Sequence, residues 1–105
     1  MAGKYRVEVT ATAEADLLGI WEFIARDSPD TAIRWLDATE KRILSLESFP
    51  LRCAIVPEAE DLGCPYRHLV CGNYRVIARV ERTTVWAIRV LHGARLLDTT
   101  ILEDR

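Results

Sequence analysis

The sequence predicts an α+β fold in the order β-α-α-β-β-β, with a helical hairpin packed on one face of a mostly antiparallel, twisted sheet. Three observations predict it. The chain opens on a short run that alternates apolar and polar residues, Tyr5-Arg6-Val7-Glu8-Val9-Thr10. Two segments with apolar residues at helical spacing follow, with barely two residues between them. The last third holds three β-type runs joined by turns of about two residues, which force antiparallel neighbours. No repeat and no linker interrupts the 105 residues, so a single domain over 1–105 is expected.

In the opening run every second side chain points to one face, as in a half-buried strand. Thr10 is placed to cap the next helix, with Glu14 and Asp16 near that helix's positive end. Ala13, Leu17, Ile20, Trp21 and Ile24 make its apolar stripe, and Gly19 within it costs roughly 1 kcal/mol relative to alanine. Ser28-Pro29-Asp30 then reads as N-cap, first helical position and acidic first turn of a second helix. Its core side carries Ala32, Trp35, Leu36, Thr39, Ile43 and Leu46, and Pro50 stops it near Ser48 or Phe49. A connection this short folds the two helices back on each other.

Residues 50–65 contain Pro50, Pro57, Gly63 and Pro65 and read as an irregular connection, in which Glu58 and Glu60 are solvated charges. The β-type runs are Tyr66 to Cys71, Tyr74 to Val80 after the Gly72-Asn73 turn, and Thr84 to Leu91 after Arg82-Thr83. In the middle run Tyr74, Val76, Ala78 and Val80 share one face, and Arg75, Ile77, Arg79 and Glu81 share the other. Helices on one side leave the opposite sheet face partly open. The tail 96–105 fits either a short docking helix or a strand-like arm.

Composition narrows the function. A chain that is 50% hydrophobic and 29% charged has enough apolar surface to bury a core and enough charge to stay in solution. No apolar run approaches the ~20 residues of a membrane helix, and the first residues lack the apolar stretch of a secretory signal. Cys53, Cys64 and Cys71 are odd in number and share no metal-ligand spacing, so a reducing cytoplasm is expected and neither zinc nor a disulfide framework. Charge is unevenly spread: residues 66–95 hold six Arg against Glu81 alone, whereas residues 1–49 are net acidic. Arg suits bidentate contacts with phosphate and carboxylate. The strand arginines are either the solvated side of a sheet or a cationic face for an acidic partner, nucleic acid or protein.

Little else carries chemistry. His68, His92 and the cysteines do not occur at ligand spacing, no glycine-rich phosphate loop is present, and no cofactor is implied. What remains is the set Arg75, Arg79 and Arg89, able to hold a phosphodiester if they share the open face, with His92 as the one titrating candidate near them. Equally, His92 ends a strand and hydrogen-bonds the backbone.

The sequence resembles the RelE/ParE superfamily of type II toxin–antitoxin toxins, and within it the ParE, or plasmid-stabilisation, branch. The resemblance runs from about residue 4 to 95. It is carried by Tyr5, Val7, Val9 and Thr10; by Ala13, Asp16, Leu17 and Ile20; by Ser28-Pro29, Ala32 and Trp35-Leu36; and by Leu46 with Phe49-Pro50. Arg67 and Leu69, Gly72-Asn73-Tyr74-Arg75-Val76-Ile77, and Val90-Leu91-His92-Gly93-Ala94-Arg95 complete it. It implies a growth-inhibiting toxin neutralised by a cognate antitoxin. ParE-like members are taken to inhibit DNA gyrase by binding; RelE-like members cut messenger RNA on the ribosome with basic side chains and a tyrosine near the C-terminus. Arg75 matches an arginine of the nuclease branch and Arg95 falls near a second, but no tyrosine follows Arg95 and no lysine cluster precedes Tyr66. The expectation is therefore a binding inhibitor of gyrase whose partner-contacting residues are Arg67, Arg75, Arg79, Arg89, His92 and Arg95. The alternatives are a ribosome-dependent mRNA endoribonuclease using Arg67, Arg75, His92 and Arg95, and a non-toxic member that only binds antitoxin.

Overall fold

A computed structural model describes residues 4–98 and 102. Strand β1 (Arg6–Val9) leads into helix α1 (Ala11–Ala25), and helix α2 (Pro29–Leu44) returns beside it. Strand β2 (Ala54–Ile55) and the single-turn helix α3 (Ala59–Leu62) precede β3 (Arg67–Cys71), β4 (Tyr74–Glu81) and β5 (Thr84–His92). The five strands form one sheet in the order β1-β5-β4-β3-β2. Only β1 runs parallel to its neighbour, β5; the other pairs are antiparallel.

The helix starts form as the local chemistry dictates. The Thr10 hydroxyl accepts from Ala13 N at 3.1 Å and donates to Ile88 O at 2.8 Å, so one side chain caps α1 and ties it to β5. Ser28 Oγ accepts from Thr31 N at 3.2 Å with Pro29 in the first turn. Ser28→Ala is expected to cost about 1 kcal/mol in chemical denaturation; an unchanged urea midpoint would show that α2 does not depend on this cap. Helix α2 ends earlier than the proline predicts, at Leu44, and continues as a 3₁₀ turn over Ser45–Glu47 before Pro50 opens another over Pro50–Arg52.

The hairpin buries Ala13, Leu17 and Ile43 against Cys71, Val76, Ala87 and Val90 of the sheet, with Ile20, Trp35, Leu36 and Tyr74 around them. Farther along the same face, Leu46 packs on Ala78 and Val85. Tyr74, Val76, Ala78 and Val80 thus share the helix side, as the alternation requires. A bulge opposite Ile77 and Ala78 shifts the alternation in β5, so that Val85 and Ala87 face the helices before it and Val90 after it.

Two expectations need correction. The stretch 50–65 is not wholly irregular: it supplies the edge strand β2 and helix α3. The sheet face away from the hairpin is not open at its centre. Val56, Leu97 and Leu102 cover Ile77, Ile88 and Leu91 there, with Ala59, Leu62 and Tyr66 at the margin. A strand with large apolar residues on both faces demands this second cover, since Ile77 and Ile88 left in water would each forgo about 1.5–3 kcal/mol of burial. Of the tail, Leu97 and Leu102 are buried in that second core and Leu96 is exposed; residues 99–101 and 103–105 lie outside the described residues, so the choice between helix and arm is not made there.

Candidate functional site

Arg75 lies on the β4 face opposite the hairpin, between Val70 of β3 and Leu91 of β5. Because Val56 and α3 fold over the second core, the connection between them carries Glu58 onto this arginine. Arg75 Nη2 donates to Glu58 Oε2 at 2.6 Å and Nη1 to Oε1 at 3.2 Å, a bidentate pair. Nη2 also donates to the Arg95 carbonyl at 2.8 Å, and Leu97 N donates to Glu58 Oε2 at 2.8 Å. One ion pair thereby fastens the connection, the sheet and the segment Arg95–Leu97 together. Arg75 is 5% exposed, and its Nε has no hydrogen-bond partner among the described residues.

The electrostatics follow from those contacts. Hydrogen bonding from Arg75 holds the Glu58 carboxyl down at about 2, against burial that pushes it up and with help from the Leu97 N–H. His68 Nδ1 sits 3.3 Å from Arg75 Nη1; a guanidinium only donates, so Nδ1 is the unprotonated ring nitrogen. Burial, and then the neighbouring Arg75 charge, lowers the His68 pKa below its usual 6.5, leaving it neutral at pH 7. Beside this group opens a cleft of about 460 Å³, lined by Glu58, Asp61, His68, Tyr74, Arg75 and Arg95 among others.

The other arginines are spread over the molecule rather than gathered. Arg89 turns toward α1, where its Nε and Nη2 donate to Asp16 at 2.7 and 3.0 Å, while Val90 N donates to the same carboxylate at 2.9 Å. Arg67 Nη1 donates to the carbonyls of Leu51 at 3.2 Å and Cys53 at 2.7 Å, at the far end of β3. Arg79 pairs with Glu81 at 3.1 Å, half exposed. The shared cationic face for Arg75, Arg79 and Arg89 does not form, because Arg75 and Arg89 are neutralised by carboxylates from elsewhere in the chain. His92 and Arg95 are exposed. His92 Nδ1 accepts from Ala94 N at 3.1 Å and its ring stands edge-on to Tyr74. Both line a shallow groove between α1 and β5 that also holds Asp16, Gly19, Ile20 and Phe23, and Phe23 is 62% exposed.

Two residues that organise this region escape a reading by sequence alone. Glu58 belongs to the inner shell of Arg75 and is not a solvated loop charge; Asp16 clamps β5 besides lying near a helix start. Apolar Val56 and Pro57 before Glu58 are a weak local sign of its burial, and Glu60 and Asp61 just after it point the other way. Burial raises the Cys53 and Cys71 thiols, which disfavours the thiolate at both positions. Among the described residues no three His, Cys, Asp or Glu side chains come together to hold a metal ion, and no helix is long and apolar enough to cross a membrane.

Comparison with known proteins agrees with this architecture. A family model described as the ParE toxin of the type II toxin–antitoxin system parDE matches residues 7–97. A solved structure of the chromosomal ParDE system from P. aeruginosa superposes with a TM-score of 0.68 at 17% identity, covering 87% of this chain and 98% of that one. The toxin–antitoxin complex RelBE2 from Mycobacterium tuberculosis gives a TM-score of 0.60 at 29% identity, covering 85% and 98%. No curated protein matches the sequence.

Proposed function

Because this chain belongs to the family of ParE toxins of type II toxin–antitoxin systems, we propose that it is a cytoplasmic growth inhibitor that acts on DNA gyrase by binding, not by catalysis, and is neutralised by a cognate antitoxin. One observation carries the choice of mechanism. Arg75, the cation that a phosphodiester-cleaving site would need, is buried and already committed to Glu58 at 2.6 Å. A guanidinium neutralised in this way has no charge to spare for a developing phosphorane. His92 spends Nδ1 on the backbone, and among the described residues the proton acceptors beside Arg75 are Glu58, held at about 2 by the guanidinium, and His68, whose Nδ1 faces it. Arg67, Arg75 and Arg89 hold the frame in this reading, and the exposed His92 and Arg95, beside Phe23, are the residues of the predicted set that touch a partner.

The test is to induce the chain alone in cells and follow two readouts. DNA supercoiling and the damage response report on gyrase; mapping of messenger RNA 5′ ends reports on ribosomal cleavage. Loss of supercoiling with intact messages is the expected result. Cuts within translated codons at unchanged supercoiling would move the protein to the nuclease branch. No growth effect at all would favour a member that binds antitoxin and inhibits nothing.

A further inference from the structure

Between α2 and β2 the chain crosses one end of the sheet. At one side Glu47 O accepts from Tyr5 N at 2.8 Å; at the other, Arg67 holds the carbonyls of Leu51 and Cys53. Midway, Phe49 adopts φ 56, ψ 50, a left-handed conformation rare for a side chain of this size and disfavoured again by the proline that follows. The turn requires only a positive φ, which glycine or asparagine supplies without strain. The core does not require the ring either, since Phe49 is 59% exposed. Strain of this kind persists only where both flanks are pinned, as here, and it gathers at functional positions.

The strained residue also has suitable surroundings. Phe49, Leu51 and Arg52, with Lys4, Tyr5 and Ser48, line a cleft of about 410 Å³. Leu51 is 55% exposed, and the Arg52 guanidinium stands 5.9 Å from the Phe49 ring centroid. The lining has two cations and no carboxylate; of the two, Lys4 is shared with Glu47 at 3.6 Å, and Arg52 has no ion pair among the described residues. An apolar floor with a cationic rim is complementary to an acidic segment that carries a bulky apolar side chain. Resting on the toxin–antitoxin reading, we propose that this cleft docks such an acidic segment of the antitoxin, with Phe49 as the aromatic anchor and Arg52 as its charge partner.

The experiment uses the full chain and the protein encoded beside it, co-purified, separated and titrated by calorimetry. Phe49→Gly relieves the backbone strain, so its Tm is expected to equal or exceed that of the wild type while the dissociation constant rises about tenfold or more. Arg52→Glu, at an exposed position, is expected to leave Tm unchanged and weaken binding by about tenfold or more, most strongly at low salt. Should Phe49→Gly lower Tm, Arg52→Glu decides alone. Wild-type binding with both variants unchanged overturns this docking surface and leaves the toxin–antitoxin reading standing. Failure of the wild type to bind overturns both. Self-association of the chain alone, abolished by Phe49→Gly, would also overturn the proposal by assigning the cleft to a second copy.

Discussion

Replacing Glu58 by alanine lowers the stability of this protein by about 3–5 kcal/mol, because it strands the Arg75 charge inside the fold. In a chain of this length that is a fall in Tm of roughly 15 °C or more. The loss exceeds that of a surface ion pair, worth about 0–1 kcal/mol, because Arg75 is 5% exposed and cannot turn to water. The same pair sets an acid limb. Glu58 is held at about 2, below its ordinary 4.5, so its stabilisation is complete above pH 4.5 and drains away as pH falls toward 2. Urea midpoints measured across that window should fall steeply in the wild type and much less in Glu58→Ala. Equal slopes in the two proteins would show that other carboxylates govern acid unfolding.

Exchange of the whole pair separates the two toxic mechanisms more sharply than loss of Arg75 alone. A single replacement of Arg75 strips Glu58 of its partner and confounds inactivity with unfolding. In Glu58→Leu with Arg75→Met, apolar groups of similar volume replace both charges, a change that is often neutral in buried pairs. Here it leaves the Leu97 N–H and the Arg95 carbonyl without their partners, so the double variant should be weaker than the wild type by about 1–3 kcal/mol, yet folded. A binding inhibitor should then retain growth inhibition within a few-fold at equal soluble expression. A nuclease that relied on this guanidinium would lose about a hundredfold or more in its cleavage step. Growth inhibition abolished in a variant shown by circular dichroism to be folded would overturn the binding mechanism.

The predicted elements that survive in the structure share one property: their cause is local. Thr10 and Ser28 cap their helices within three residues of themselves. The Gly72-Asn73 turn needs a positive φ, which Gly72 supplies at 63. The alternation of Tyr74, Val76, Ala78 and Val80 declares a buried face without reference to what buries it. The elements that eluded prediction have distant causes. Strand β2 is two residues long, and pairs because β3 offers His68 and Arg67 as partners. The bulge that turns Val90 toward the helices arises from the mismatch of two strands, and neither strand announces it alone.

The sequence by itself determined β1, the helical hairpin and the three antiparallel strands of the last third, because propensity, capping and side-chain period act over a few residues and leave their pattern in the chain; the family was read from the resemblance of motifs spread over residues 4–95. Which arginines remain available to a partner was decided only by the tertiary structure. A count of six Arg against one Glu over residues 66–95 describes a cationic stretch, yet Arg75 finds its carboxylate 17 residues away and Arg89 finds its own 73 residues away. Coulomb attraction between buried groups depends on distance in space, and folding brings acidic Glu58 and Asp16 from outside the basic stretch onto the arginines that most needed neutralising. Of the arginines in that stretch, Arg82 and Arg95 stay exposed and outside any ion pair among the described residues, so the cationic face is reduced to what the fold left unpaired.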